Sequence, residues 1–222
     1  MAEILRLGRE HLATDGAAAL SLRAIARDLG VVSSAVYRYV ASRDELLTLL
    51  VVDAYTELGD AVDAALEAVP PTEFRQQFTV LGLAVRAWAI REPARYGLIF
   101  GTPVPGYQAP AEQTTQPGTR VVVRLMGILD GAWRARSPAE RRADDAGRPV
   151  SGELAADLER LREENGLEAS VEALATGTLV WTALFGAVSF EVFGQYGPGT
   201  FSEPEQLFRR HLDVLADLLG LD

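Results

Sequence analysis

The chain has 222 residues, 48% hydrophobic and 23% charged, a balance suited to one or two globular domains with a substantial core. It has no cysteine, which excludes disulfides and thiolate metal sites. Its two histidines, His11 and His211, have no partner at metal-ligand spacing, so no metal or cofactor is expected. The formal net charge is −10, but residues 1–45 hold six Arg against six acids, so the excess lies in 46–222. A neutral head on an acidic body suits DNA binding by the head alone.

The first ten residues are interrupted by charges and lack the apolar core of a signal peptide. A first helix is expected over 2–14, stopping at Asp15-Gly16. A second follows Ser21 as N-cap and ends at Gly30, and a third covers 33–40. The fourth opens on Ser42-Arg-Asp-Glu45, a capping box, and runs some 25 residues until Pro70-Pro71 ends it. The fifth and sixth cover 72–91 and 93–100. Residues 101–118, with Pro103, Pro105, Pro110 and Pro117, read as a loop before a seventh helix over 119–136. Residues 137–152 read as a mobile loop, followed by a charged helix over 153–164. The eighth helix is expected over 168–196 and the ninth after Ser202-Glu-Pro-Glu205, a second capping box, to 219. The stretch 171–196 is apolar enough to suggest a membrane span. It carries Glu172, Glu191 and several Gly, and reads instead as a buried helix, with no membrane partner. No strand or hairpin pattern occurs, so the fold class is all-α, with residues 1–45 as a three-helix head and 46–222 as a larger helical domain.

Residues 21–40, SLRAIARDLGVVSSAVYRYV, satisfy the spacing of a helix-turn-helix. Ala26 is the small residue where two helices cross, Gly30 tolerates positive φ in the turn, and Val36 buries an aliphatic against the first helix. Ile25, Leu29 and Val31 take the other inward positions. An ordinary helical hairpin could share that spacing. The continuation through Tyr37, Arg43 and Leu47 resembles the DNA-binding head of the tetracycline-repressor (TetR/AcrR) family over residues 3–55. More loosely, EPARYGLIF (92–100) and WTALFGAVSFE (181–191) resemble a WHG-type C-terminal subtype of that family.

The resemblance implies that Ser21, Tyr37 and Arg43 contact phosphates and that Arg23, Ser33, Ser34 and Ala35 face base edges. Arg38 and Tyr39 would lie along the groove wall. Tyr37 and Tyr39 have packing roles as rivals, and Arg27 reads as solvated. Family members often cap the recognition helix with Ser or Thr at the position of Val32. Ser33 is the nearer candidate here, which would shift the helix start by one residue.

The eighth helix is apolar around most of its circumference, and the ninth carries Leu207, Phe208, Leu212, Leu215, Leu218 and Leu219. The family's homodimer would use these two helices, and two heads would then read the half-sites of a double-stranded operator. Trp88, Tyr96, Phe100, Met126, Trp133, Trp181 and Phe185 are candidates to line an apolar effector cavity, with plain core packing as the alternative. The expectation is a cytoplasmic, ligand-responsive regulator, most simply a repressor released from DNA by a small apolar effector. The competing classes are an all-helical enzyme, for which no phosphate loop or nucleophile elbow is present, and a protein-binding adaptor.

Overall fold

A computed structural model describes residues 1–145 and 149–221. Among these there are eleven α-helices, one short 3-10 turn and no strand. The helices are α1 Ala2–Asp15, α2 Leu22–Asp28, α3 Ser33–Tyr37, α4 Arg43–Leu66, α5 Phe74–Arg91, α6 Pro93–Phe100, α7 Ala111–Ala135, α8 Pro138–Asp145, α9 Gly152–Asn165, α10 Val171–Val192 and α11 Pro204–Leu218. They form two compact units, one of residues 1–61 with 87–120 and the other of 62–86 with 121–222.

The first unit is built on a continuous apolar core. Ile4, Leu7 and Leu12 of α1 meet Leu22, Ile25 and Ala26 of α2, Val36 and Val40 at the end of the α3 turn, and Leu46, Leu47 and Leu50 of α4. Each fully buried Leu or Ile contributes about 1.5–3 kcal/mol of transfer free energy. Ala94 and Leu98 of α6, with Val104 and Tyr107 of the following segment, pack against the same core. Ser42 caps α4 as its sequence implies, with the reciprocal bond to Glu45 made one residue earlier than in a standard capping box. The Glu45 amide donates to Ser42 Oγ at 3.1 Å, and Glu45 Oε2 accepts from the Ala41 amide at 2.6 Å.

A charge network crosses this unit. Asp53 of α4 pairs with Arg9 of α1 at 2.6 Å and with Arg95 of α6 at 2.7 Å. Arg95, itself buried, also pairs with Glu57 at 2.5 Å, and its guanidinium lies 5.6 Å from the Trp88 ring. Burial pushes the Glu57 carboxyl up, but hydrogen bonds from Arg95, Trp88 and Arg91 and the Arg95 charge outweigh this and hold it below its ordinary value.

In the second unit, Leu174, Val180, Leu184 and Val188 of α10 face inward. Gly82 of α5 sits where any Cβ would meet Leu212 Cδ2 at 2.5 Å, so α5 and α11 approach through a missing side chain. Glu191, an acid in an apolar run, takes a two-point hydrogen bond from Arg86 at 2.8 and 2.6 Å. Buried Asp130 accepts the Glu168 and Ala169 amides at 2.6 and 2.8 Å, fixing the approach to α10.

Five expectations are corrected. Residues 138–145 are helical, because Ser137 and Glu140 form a capping box of their own; residues 146–148 of the expected loop lie outside the described residues. Helix α7 begins at Ala111 and contains Pro117. The missing Pro N–H costs one rung of the ladder early in the helix, which 25 residues of packing outweigh. The expected box at Ser202–Glu205 does not form. Glu203 occupies the cap position ahead of Pro204, and Glu205 turns to Arg209 and Arg86. Val31 is 44% exposed, since its amide closes the turn onto Ala26 and carries the side chain outward. Finally, α10 is long and apolar enough to cross a membrane by length and composition, and within one chain only one of its faces is buried: Leu179, Trp181 and Phe190, with Phe193 just past its end, project outward.

Candidate nucleic-acid interface

The head's geometry follows from its turn. Gly30 has φ +68°, its amide donates to Arg27 O at 3.0 Å, and the Val31 amide donates to Ala26 O at 3.0 Å. This paired closure ends α2 and redirects the chain into α3 within three residues. Ala26 and Val36, 1% and 2% exposed, form the crossing point of the two helices. His11 Nε2 and Asp28 Oδ2, 2.7 Å apart, tie α1 to the end of α2.

The predicted contact residues divide by exposure. Arg23 on the first turn of α2 and Ser34, Tyr37, Arg38 and Tyr39 on and after α3 are exposed, while Ser21, Ser33, Ala35 and Arg43 are partly covered. Ser21 stands at the α2 N-cap but makes no side-chain cap bond, so its hydroxyl is not spent on the helix. Ser33 does not cap α3. The cap position is Val32, which has no side-chain acceptor, and Ser33 is the first helical residue. Val31, which the spacing argument placed inward, and its neighbour Val32 form an exposed apolar pair beside the recognition helix.

Arg43 has structural partners within the head. Its guanidinium donates to the carbonyls of Ala17 and Ala18 at 3.0 and 3.2 Å and lies 3.6 Å from Asp44. It therefore clamps the turn between α1 and α2 to the start of α4.

Comparison with known proteins decides what this head belongs to. Residues 4–50 match the family model for bacterial regulatory proteins of the tetR family, and residues 78–215, more than half the chain, match the tetracyclin repressor-like C-terminal domain. The chain belongs to the TetR family of transcriptional regulators. It is 44% identical over 219 residues to the HTH-type transcriptional regulators Rv1816 of Mycobacterium tuberculosis and Mb1846 of Mycobacterium bovis, which covers 99% of this chain and 92% of each relative. Its fold resembles the crystal structure of SCO4313, with a TM-score of 0.76 at 35% identity over 99% of this chain and 94% of the other. The TetR family regulator PfmR of Thermus thermophilus shares the fold alone, with a TM-score of 0.56 at 17% identity over 96% of each chain.

As TetR family regulators are DNA-binding proteins and not enzymes, the remaining candidates bear on sensing and assembly. The seven residues expected to line an effector cavity are divided between the two units. In the first unit of this TetR regulator, Trp88 and Tyr96 are sealed, and Phe100 packs 5.1 Å from Tyr96 and 6.0 Å from Tyr55. In the second, Trp133 is buried beneath the Arg136 guanidinium and Phe185 meets Trp181 edge-on at 6.3 Å. Met126 and Trp181 share a narrow cavity of about 20 Å³ between α7 and α10, room for a single water.

A larger cavity of about 210 Å³ lies in the first unit, and none of its lining residues is among the seven effector-site candidates. Tyr55 of α4 and Tyr107 of the segment before α7 are its aromatic walls. The available signal was an aromatic residue inside the proline-rich stretch 101–118, where a mere connector has no need of one.

Proposed function

We propose that this TetR family regulator is a cytoplasmic homodimeric repressor whose residues 1–45 read a palindromic operator, while residues 46–222 dimerise and respond to a small, largely apolar effector. The observation that carries the reading is the exposed surface of the head. Arg23, Ser34, Tyr37 and Arg38 project from a fully packed helix-turn-helix, and Tyr39 is 57% exposed beside them. Large side chains held out by a rigid scaffold mark an interaction surface. In this reading Arg23 donates two hydrogen bonds to a guanine edge, with Ser33, Ser34 and Ala35 facing neighbouring bases. Ser21 and Tyr37 bind phosphates, Arg38 and Tyr39 line the groove wall, and Arg43 reaches a phosphate while keeping the 17–19 turn in place.

The outward apolar faces of α10 and α11 support self-association. Leu179, Phe190, Val214 and Leu218 are each close to half exposed, and a second copy would remove them from water. Two heads related by a two-fold axis would then meet half-sites about 34 Å apart. Effector release requires that ligand and DNA favour different arrangements of the dimer, each weakening the other by the same factor.

The test is selection of operator fragments from source DNA by the purified full chain, followed by anisotropy titration of the recovered site. A palindromic site bound two chains at a time, with affinity falling steeply with salt, is the expected result. Equal affinity for the recovered site and random duplex would overturn the operator reading.

A further inference from the structure

The cavity of the first unit is large enough for a ligand. Its volume of about 210 Å³ exceeds the roughly 150 Å³ of an engineered apolar cavity that binds benzene. Val51 of α4, Leu98 of α6 and Val104 of the following segment supply apolar wall, and none of the described lining residues is charged. An anion entering such a space would lose its hydration with no cation to replace it. The polar side-chain groups of the lining residues are three hydroxyls, those of Tyr55, Tyr107 and Thr114.

The direction of their hydrogen bonds decides what a ligand must offer. A hydroxyl has one proton and two lone pairs. Thr48 donates its proton to Asp44 O at 3.0 Å, so in its 3.0 Å contact with Tyr107 the tyrosine is the donor. Thr114 donates to Pro110 O at 2.8 Å and Tyr55 to Ile99 O at 3.4 Å. Tyr107 and Thr114 thus commit their protons to the protein, Tyr55 only through a long contact, and the side-chain capacity left is mainly that of acceptors. Burial also pushes the Tyr55 phenol up, keeping it neutral at physiological pH.

The geometry points to this cavity as the effector site, selective for a neutral one-ring compound that carries a hydrogen-bond donor, such as a phenol. The effector role rests on the ligand-responsive reading above, whereas the site and its selectivity stand on the cavity alone. Leu98, Val104 and Tyr107 line the cavity and also pack against the core of the DNA-binding head, so an occupant is separated from that core by single side chains.

Calorimetric titration of the full chain, free of DNA, with p-cresol, 4-methylanisole and p-toluate tests the site. The three share a ring and a methyl group and differ in offering a donor, only an acceptor, or a charge. One p-cresol per chain is expected to bind, with 4-methylanisole about tenfold weaker, the loss of one hydrogen bond, and p-toluate weaker still. Tyr107→Phe should bring p-cresol toward the affinity of the ether. Absence of p-cresol binding, or equal affinities for phenol and ether in the wild-type chain, would overturn the site. A separate titration of the operator complex tests the reading beneath it. Binding of p-cresol with the stated selectivity and unchanged operator affinity would overturn effector release while leaving the site in place.

Discussion

Asp53 and Arg95 form a buried two-point contact. Arg95 Nη2 donates to Asp53 Oδ2 at 2.7 Å and to the Asp53 carbonyl at 3.2 Å, with the Arg95 side chain only 5% exposed. The same carboxylate holds Arg9 through its other oxygen, so one α4 side chain joins α1 to α6. Arg9 is far more exposed than Arg95, and this asymmetry makes the two arms unequal in energy.

Asp53→Ala should therefore destabilise the protein by about 3 kcal/mol, since it leaves a buried guanidinium short of a partner, with Glu57 limiting the damage. Arg9→Ala should cost no more than about 1 kcal/mol, as expected of a solvent-screened pair. Urea unfolding of the two variants checks the ranking. Equal losses would mean that the bond to Arg95 is not the dominant one.

Glu57 gives this network a pH dependence. Its carboxyl is held below its ordinary value in the folded chain, so it binds protons less readily folded than unfolded. Its contribution is fully present above the unfolded value of about 4.3 and is lost as pH falls through the lower folded value. Glu57→Gln should flatten the acid limb of a plot of stability against pH and leave its shape above pH 6 unchanged. Thermal melts between pH 3 and 7 measure both.

Phe190→Glu and Leu218→Glu place charges on outward-facing positions of α10 and α11. If these faces meet a second copy, each variant should sediment as a monomer at micromolar concentration while keeping the helical circular dichroism of the parent. A dimer that survives both substitutions would place the interface elsewhere.

Arg23→Ala should cost about 1–3 kcal/mol on the selected operator and relax preference at one base position. Tyr37→Phe should weaken binding to all sequences alike, since a phosphate contact has no knowledge of the base. Competition titrations against single-base operator variants separate the two patterns.

The sequence made the head legible because its constraints are local. Ala26, Gly30 and Val36 fall within eleven residues, and each is required by the crossing or the turn. The capping box at Ser42–Glu45 was readable for the same reason. Equivalent signals elsewhere misled when a neighbour intervened. Pro204 moved the start of α11 past Ser202, and Arg86, more than a hundred residues away, drew off Glu205. The α8 box at Ser137–Glu140 was hidden in a stretch dominated by turn formers. The cavity was illegible because its walls come from α4, α6 and the 101–118 stretch, and no periodicity in one segment records which residues of another it faces. Arg43 could be placed at the start of α4, but only the fold shows that its guanidinium binds the carbonyls of Ala17 and Ala18.

Pro117 bears on how firmly one wall of the cavity is held. Having no amide hydrogen, it leaves the Gln113 carbonyl without the helical donor it would otherwise have, and the turn ahead of it is joined to the rest of α7 by one rung fewer. Thr114, part of the cavity wall, lies in that turn. Residues 111–116 can thus fray without unravelling the helix behind them. Their amides should exchange with deuterium ahead of those from Val121 onward, and each such opening carries Thr114 away from the cavity wall.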